Sequence, residues 1–113
     1  MCSQKEAISI LRKATERYNI LFPGTLKESY LYGSYARGDY TSESDVDILF
    51  SADILPEEIC RYRDGLAKIS SDLSLDHDIT VSLTIKPADQ FNRYSDAMPF
   101  YRNVKNEGIR YDG

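Results

Sequence analysis

The chain has 113 residues, a length typical of one domain, and we expect a single domain over residues 1–113. Its composition, 42% hydrophobic and 28% charged, excludes a disordered chain. A net charge of −4 argues against broad binding to nucleic acids or membranes, and no apolar run approaches the ~20 residues of a membrane span. We therefore expect a cytoplasmic protein in which Cys2 and Cys60 are reduced thiols.

The first half of the chain predicts a helix and two strands. Residues 3–20 predict a helix capped by Ser3, with one apolar stripe formed by Ala7, Ile10, Leu11, Ala14 and Tyr18. A short strand follows at Tyr30–Tyr32 and stops at Gly33. Residues 34–44 predict a short helical turn and a loop, and residues 45–52 predict a buried strand.

The second half predicts a helix, a strand and a helical tail. Pro56, Glu57 and Glu58 are typical of a helix first turn, and this helix is expected to run to about Leu73. Residues 78–85 alternate between polar and apolar side chains, which predicts a strand beginning at Asp78. A short helix at residues 87–94, a further helical segment, a glycine turn and an edge strand complete the chain. The order indicates an α/β (α+β) domain with a small mixed sheet flanked by helices.

Two aspartates stand where the second strand begins. Asp45 and Asp47 are two residues apart, so their side chains point to the same side of a strand. Like charges side by side repel, and a divalent cation such as Mg²⁺ removes the repulsion. We expect Asp78 on the next strand to supply a third carboxylate, with Asp76 in the preceding turn as the reserve candidate. A lone D-x-D also occurs in ordinary turns and caps.

The turn after the first strand has the composition of a phosphate site. Gly33 lets a phosphate approach the backbone without a Cβ in the way, and the Ser34 hydroxyl adds a donor. Arg37 has two readings, an ion pair with an acidic neighbour or a contact with a phosphate or base.

Together these stretches resemble a known signature. "GSYARGDYTSESDVDILF" is similar to the G-S-x-A-R-G…S-D-x-D motif of the minimal nucleotidyltransferases, within the superfamily that includes DNA polymerase β. The matching positions are Gly33, Ser34, Ala36, Arg37, Gly38, Ser44, Asp45 and Asp47. The resemblance implies a polymerase β-like nucleotidyltransferase fold. It also implies transfer of a nucleoside monophosphate, most simply AMP from ATP.

The resemblance assigns roles to these residues. Asp45 and Asp47 would bind two Mg²⁺ ions, and Asp78 would bind the catalytic one. Gly33 and Ser34 would hold the β- and γ-phosphates of the nucleotide. The single histidine, His77, is expected to pack or hydrogen-bond near its strand rather than to serve a nucleophile.

The acceptor is open at this stage. The chain has no room for a separate acceptor domain, and the resemblance implies a partner such as a small helical HEPN-domain protein in a toxin–antitoxin pair. The alternative is a non-catalytic module that sequesters such a partner; an aminoglycoside-type modifier is a third reading. Phe91, Tyr94, Phe100 and Tyr101, with Met98, predict a partner or homo-oligomer contact near the C-terminus.

Overall fold

The first helix and strand form as the sequence predicts. The computed structural model describes residues 2–111. Helix α1 spans Gln4–Leu21; the Ser3 hydroxyl accepts a hydrogen bond from the Glu6 N–H at 3.1 Å, and the whole predicted apolar stripe is buried. Strand β1 spans Leu26–Tyr32, and the single-turn helix α2 spans Ser34–Arg37.

The remaining elements follow the expected order with two corrections. Strand β2 spans Val46–Ala52, and a 3₁₀ helix at Pro56–Arg61 precedes helix α3 at Arg63–His77. Strand β3 spans Val81–Pro87, followed by helix α4 at Ala88–Tyr94, helix α5 at Pro99–Glu107 and strand β4 at Ile109–Tyr111.

The prediction of one helix from Pro56 to about Leu73 was wrong in both its start and its end. The proline turn forms a separate 3₁₀ segment, and α3 continues to His77, because its last turn still packs against α1.

The prediction that a strand begins at Asp78 was also wrong. Asp78 caps the C-terminus of α3 in the left-handed conformation, with φ 52° and ψ 45°, and its N–H donates to the Ser74 carbonyl. Aspartate tolerates this conformation better than most residues, so the position favours a helix cap over an extended strand.

The four strands form one mixed sheet in the order β3-β2-β1-β4. Strand β2 runs antiparallel to β1 and parallel to β3, and β4 adds to the far edge of β1 as predicted. One face of the sheet packs against α1 and α3 through the larger core cluster, which includes Ile48 and Phe50. The other face meets α4 and α5 through a smaller cluster around Leu49 and Phe91. No helix within residues 2–111 is long and apolar enough to cross a membrane.

The C-terminal aromatic residues divide between core and surface. Phe91 and Tyr101 are buried in the smaller cluster, so the structure corrects their assignment to a contact surface. Tyr94, Met98 and Phe100 remain 41%, 46% and 42% exposed. The tyrosines near the motif divide similarly, because Tyr30 and Tyr35 are buried while Tyr32 and Tyr40 are partly exposed.

Candidate functional site: paired carboxylates beside a glycine elbow

The turn between β1 and α2 depends on glycine. Gly33 has φ 78° and ψ −156°, a backbone conformation that residues other than glycine rarely adopt. Its carbonyl accepts hydrogen bonds from the N–H groups of Ala36 and Arg37, each at 3.1 Å. Gly38, with φ 90°, ends the helix by donating its N–H to the Ser34 carbonyl at 2.9 Å. The chain thus reverses sharply after Tyr32, and Ser34 begins α2.

This elbow lies directly against the carboxylate of Asp47. A Cβ placed on Gly33 would come within 2.7 Å of Asp47 Oδ2. The glycine is therefore required both for the backbone conformation and for the close approach of this carboxylate. The two halves of the sequence motif are brought into contact by the antiparallel pairing of Tyr32 with Asp47.

Asp45 and Asp47 lie close enough to influence each other. Asp45, exposed, immediately precedes β2, and Asp47 is half-buried on the strand. Burial raises the pKa of Asp47, the charge of Asp45 raises this pKa further, and the charge of Arg37 lowers it. Two neighbouring carboxylates that repel each other fit a divalent cation, which would relieve the repulsion.

The residues opposite Asp47 on the neighbouring strands are neutral. Tyr32 is its partner on β1, and Ser82 is its partner on β3. Burial raises the pKa of the Tyr32 hydroxyl, the charge of Asp47 raises it further, and the Thr84 side chain lowers it. The sequence analysis did not select Tyr32, Ser82 or Thr84 as site residues. The polar alternation of β3 was visible in the sequence, but only the register shows which polar residue faces Asp47.

Arg37 forms ion pairs with two acidic residues. Its Nε lies 3.3 Å from Asp39 Oδ2, and its Nη1 lies 3.7 Å from Glu107 Oε2 on α5. The guanidinium is nearly half exposed and borders a cavity of about 220 Å³ between the elbow and α5. The acidic-neighbour reading of Arg37 is therefore seen in the structure, and a phosphate contact stays a prediction.

The structure does not bring the other predicted carboxylates to this pair. Asp78 is exposed at the end of α3, and the β3 residue that pairs with Asp47 is not Asp78 but Ser82, four residues later. Asp76 lies on α3, with its Oδ2 3.8 Å from Arg17 Nη2. Among residues 2–111, no group of three or more His, Cys, Asp or Glu side chains is placed to hold a metal ion. The site described by the structure contains two carboxylates.

His77 belongs to the packing between α1 and α3. Its Nδ1 lies 3.5 Å from Glu6 Oε2, and its Nε2 lies 3.3 Å from Lys13 Nζ. The imidazole is thus engaged by α1 side chains, as expected for a residue that packs and hydrogen-bonds rather than one that activates a nucleophile.

Comparisons with known proteins identify relatives of this chain. Residues 8–111 match the family model described as "Nucleotidyltransferase domain". Two proteins of Methanocaldococcus jannaschii, each named "Putative protein adenylyltransferase", are 34% identical over 87 residues and 36% identical over 77 residues. These matches cover 77% and 68% of this chain and 79% and 76% of the relatives.

Solved structures share the fold. The crystal structure of a "putative nucleotidyltransferase" from Sulfolobus solfataricus superposes with a TM-score of 0.65 at 22% identity, covering 96% of this chain and 81% of that one. A toxin–antitoxin structure with AMP-PNP superposes with a TM-score of 0.56 at 21% identity, covering 88% and 69%. A mutant of the toxin–antitoxin MntA-HpeT superposes with a TM-score of 0.55 at 22% identity, covering 90% and 71%.

The glycine elbow against paired aspartates, the family match over nearly the whole chain and the curated relatives lead to one conclusion: this chain belongs to the nucleotidyltransferase domain family.

Proposed function

We propose that this chain transfers AMP from ATP to a hydroxyl group of a partner protein in a reaction that requires Mg²⁺. The observation that carries the proposal is the contact between Gly33 and Asp47, which places a glycine–serine elbow beside two neighbouring carboxylates. A triphosphate lying along the elbow would present its α-phosphate to the carboxylates.

Each residue of the site has a distinct task in this proposal. Gly33 and Ser34 hold the β- and γ-phosphates, because the elbow has no Cβ that would block an anion from the backbone. Arg37, at the edge of the same elbow, exchanges an acidic partner for phosphate oxygens. Asp45 and Asp47 would hold two Mg²⁺ ions, which when bound supply positive charge at the phosphates and lower the pKa of the acceptor hydroxyl.

The transfer itself needs no covalent enzyme intermediate. The acceptor oxygen forms a bond to the α-phosphorus, the bond from that phosphorus to the oxygen bridging to the β-phosphate breaks, and pyrophosphate leaves. The hydroxyl proton passes to water. The residues of this chain align the acceptor and leaving oxygens and position the phosphates, which is where catalysis of this kind obtains most of its rate.

A protein is the favoured acceptor. The curated relatives carry the name protein adenylyltransferase, and two of the structural neighbours are toxin–antitoxin complexes. We accordingly propose a small helical partner of the HEPN type as the acceptor.

The test is label transfer with two differently labelled substrates. The purified chain is incubated with Mg²⁺, a candidate helical partner protein of the HEPN type, and ATP labelled at either the α- or the γ-phosphorus. AMP transfer labels the partner from α-labelled ATP alone, whereas phosphoryl transfer would label it from γ-labelled ATP. Chelation of Mg²⁺ is expected to abolish the signal.

Matched variants assign the chemistry to the site. Asp45→Asn and Asp47→Asn are expected to reduce transfer at least about 100-fold, as the loss of a charge-positioning group does in other enzymes. Asp76→Asn removes a surface carboxylate on α3 and should leave transfer unchanged. Transfer by Asp47→Asn at the wild-type rate would refute the assignment.

One observation favours a second function: among residues 2–111, no third acidic side chain is grouped with Asp45 and Asp47 so that it could hold a metal ion. In that case the chain is a binding module that sequesters a partner without modifying it. Undiminished partner binding and neutralisation by the Asp45→Asn and Asp47→Asn variants, together with no label transfer by the wild type, would select this function.

A further inference from the structure

The face of the sheet that carries Asp47 offers a cation few charged ligands. Tyr32 and Ser82 flank Asp47 on the two neighbouring strands, and both are neutral hydroxyls. Ser82 is exposed at the edge strand of the sheet, whereas Tyr32 is partly buried and its ring packs edge-on against Phe100 with 5.5 Å between the centroids. Of the two flanking positions, position 82 is the more accessible.

The protein by itself offers a divalent cation few oxygen ligands. Asp45 and Asp47 contribute two carboxylates, and no group of three or more His, Cys, Asp or Glu side chains among residues 2–111 is placed to hold a metal ion. Magnesium prefers six oxygen ligands in octahedral geometry and is commonly held by one or two carboxylates together with substrate phosphates. In this chain the remaining ligands have to come from the substrate phosphates and water.

Resting on the proposed function, we infer that this site binds a divalent cation only together with the nucleoside triphosphate, and that Ser82 sets this dependence. A neutral hydroxyl beside Asp47 leaves the protein alone with too few charged oxygen ligands to hold the cation. The triphosphate supplies further charged oxygens, so metal and nucleotide bind together. A carboxylate at position 82 would lie in register with Asp47 and complete a site that no longer needs the nucleotide.

The test measures metal binding without any turnover. Free Mn²⁺ is followed by electron paramagnetic resonance during titration of the full chain, with and without an ATP analogue whose α,β-bridge is a methylene group. Binding of the analogue to the chain is measured separately with and without Mn²⁺. For the wild type we expect no detectable binding of Mn²⁺ alone, and at least about tenfold tighter binding of the analogue when Mn²⁺ is present.

Variants at position 82 isolate the cause. Ser82→Asp is expected to bind Mn²⁺ without nucleotide at least about tenfold more tightly than the wild type, because a charged oxygen ligand has been added. Ser82→Asn adds a side chain of nearly the same size as aspartate without the charge, and Ser71→Asp adds the same charge on the exposed surface of α3; both should behave like the wild type.

Two results would overturn the inference. One is wild-type protein that binds Mn²⁺ equally well with and without the analogue, a comparison that needs no variant to fold. The other is equal Mn²⁺ affinity of Ser82→Asp and Ser82→Asn, once thermal melting has shown both to be folded. Neither measurement uses an acceptor, so failure of label transfer, which would refute the proposed function, is a separate outcome.

Discussion

Replacement of Gly33 by alanine tests the geometry on which the site depends. At φ 78° and ψ −156° the backbone of Gly33 occupies a region that is essentially restricted to glycine, and an L-residue there costs of order 1–3 kcal/mol. The added methyl group would also stand 2.7 Å from Asp47 Oδ2, so the carboxylate has to move. A side chain forced about 30° from its rotamer costs roughly 0.5–1.5 kcal/mol.

The sum is a loss of roughly 1.5–4.5 kcal/mol in the free energy of unfolding. For a domain of this size, 1 kcal/mol corresponds to roughly 4 °C in Tm, so Gly33→Ala should melt about 6–18 °C below the wild type. The assay is thermal unfolding followed by circular dichroism, with urea unfolding for the free energy.

Gly38→Ala is the matched control. Gly38 also has positive φ, 90°, but a Cβ there meets nothing within 4 Å. Its cost is the left-handed backbone alone, about 1–2 kcal/mol. We therefore expect Gly33→Ala to melt at least about 4 °C below Gly38→Ala.

A double mutant separates backbone strain from the contact with Asp47. Adding Asp47→Ala to Gly33→Ala removes the contact but not the strain, so the cycle should show a favourable coupling of about 1 kcal/mol. If Gly33→Ala melts no lower than Gly38→Ala, or the cycle shows no coupling, the elbow and the carboxylate are not in contact and the reasoning is refuted.

Three further predictions follow from burial and charge. Burial and Asp45 raise the pKa of Asp47 in the folded protein, so the ionised carboxylate destabilises the fold above that pKa. Asp47→Asn should therefore raise Tm at pH 7, and the gain should disappear as the pH falls through the folded pKa. A gain that does not depend on pH would contradict this. Phe91 is fully buried, and Phe91→Ala should lower the free energy of unfolding in urea by about 3–5 kcal/mol. Phe100→Ala should cost less, about 1–2 kcal/mol, because Phe100 is 42% exposed but keeps ring contacts with Tyr32 and Tyr101. Equal losses would show that the smaller core cluster is misplaced. A thiol-reactive reagent should label the exposed Cys60 quickly and Cys2 only on unfolding. The reason is that Cys2 is 8% exposed and that burial raises the pKa of its thiol. Equal labelling rates for the two thiols would contradict the buried position of Cys2.

Local patterns in the sequence were sufficient for most elements. The apolar stripe of α1, the Ser3 cap and the continuous apolar run of β2 each carry their own periodicity, and all are confirmed. The wrong predictions concern the ends of helices and strands, where the local sequence is compatible with more than one secondary structure. Around Asp78 the sequence is polar and alternating, which suits a strand, yet the helix continues because the side chains of its last turn contact α1.

Site residues divide in the same way. Gly33 and Asp47 were predicted from sequence, because the two halves of the stretch from residue 33 to residue 50 together resemble the motif of the minimal nucleotidyltransferases. Tyr32 and Ser82 were not, because a tyrosine and a serine on strands have no local signature of function. Their place beside Asp47 comes from strand pairing.

The sequence by itself determined the order of the helices and strands, which residues form the apolar stripe of α1, and the two halves of the motif. Each of these depends only on residues that are close together in the sequence. Tertiary structure alone decided the register of β2 with β1 and β3, and with it the contact of the elbow with Asp47 and the neutral neighbours of that carboxylate. Register is a long-range quantity, fixed by how two buried sheet faces pack together, and a shift of one residue would turn every side chain of a strand to the opposite face.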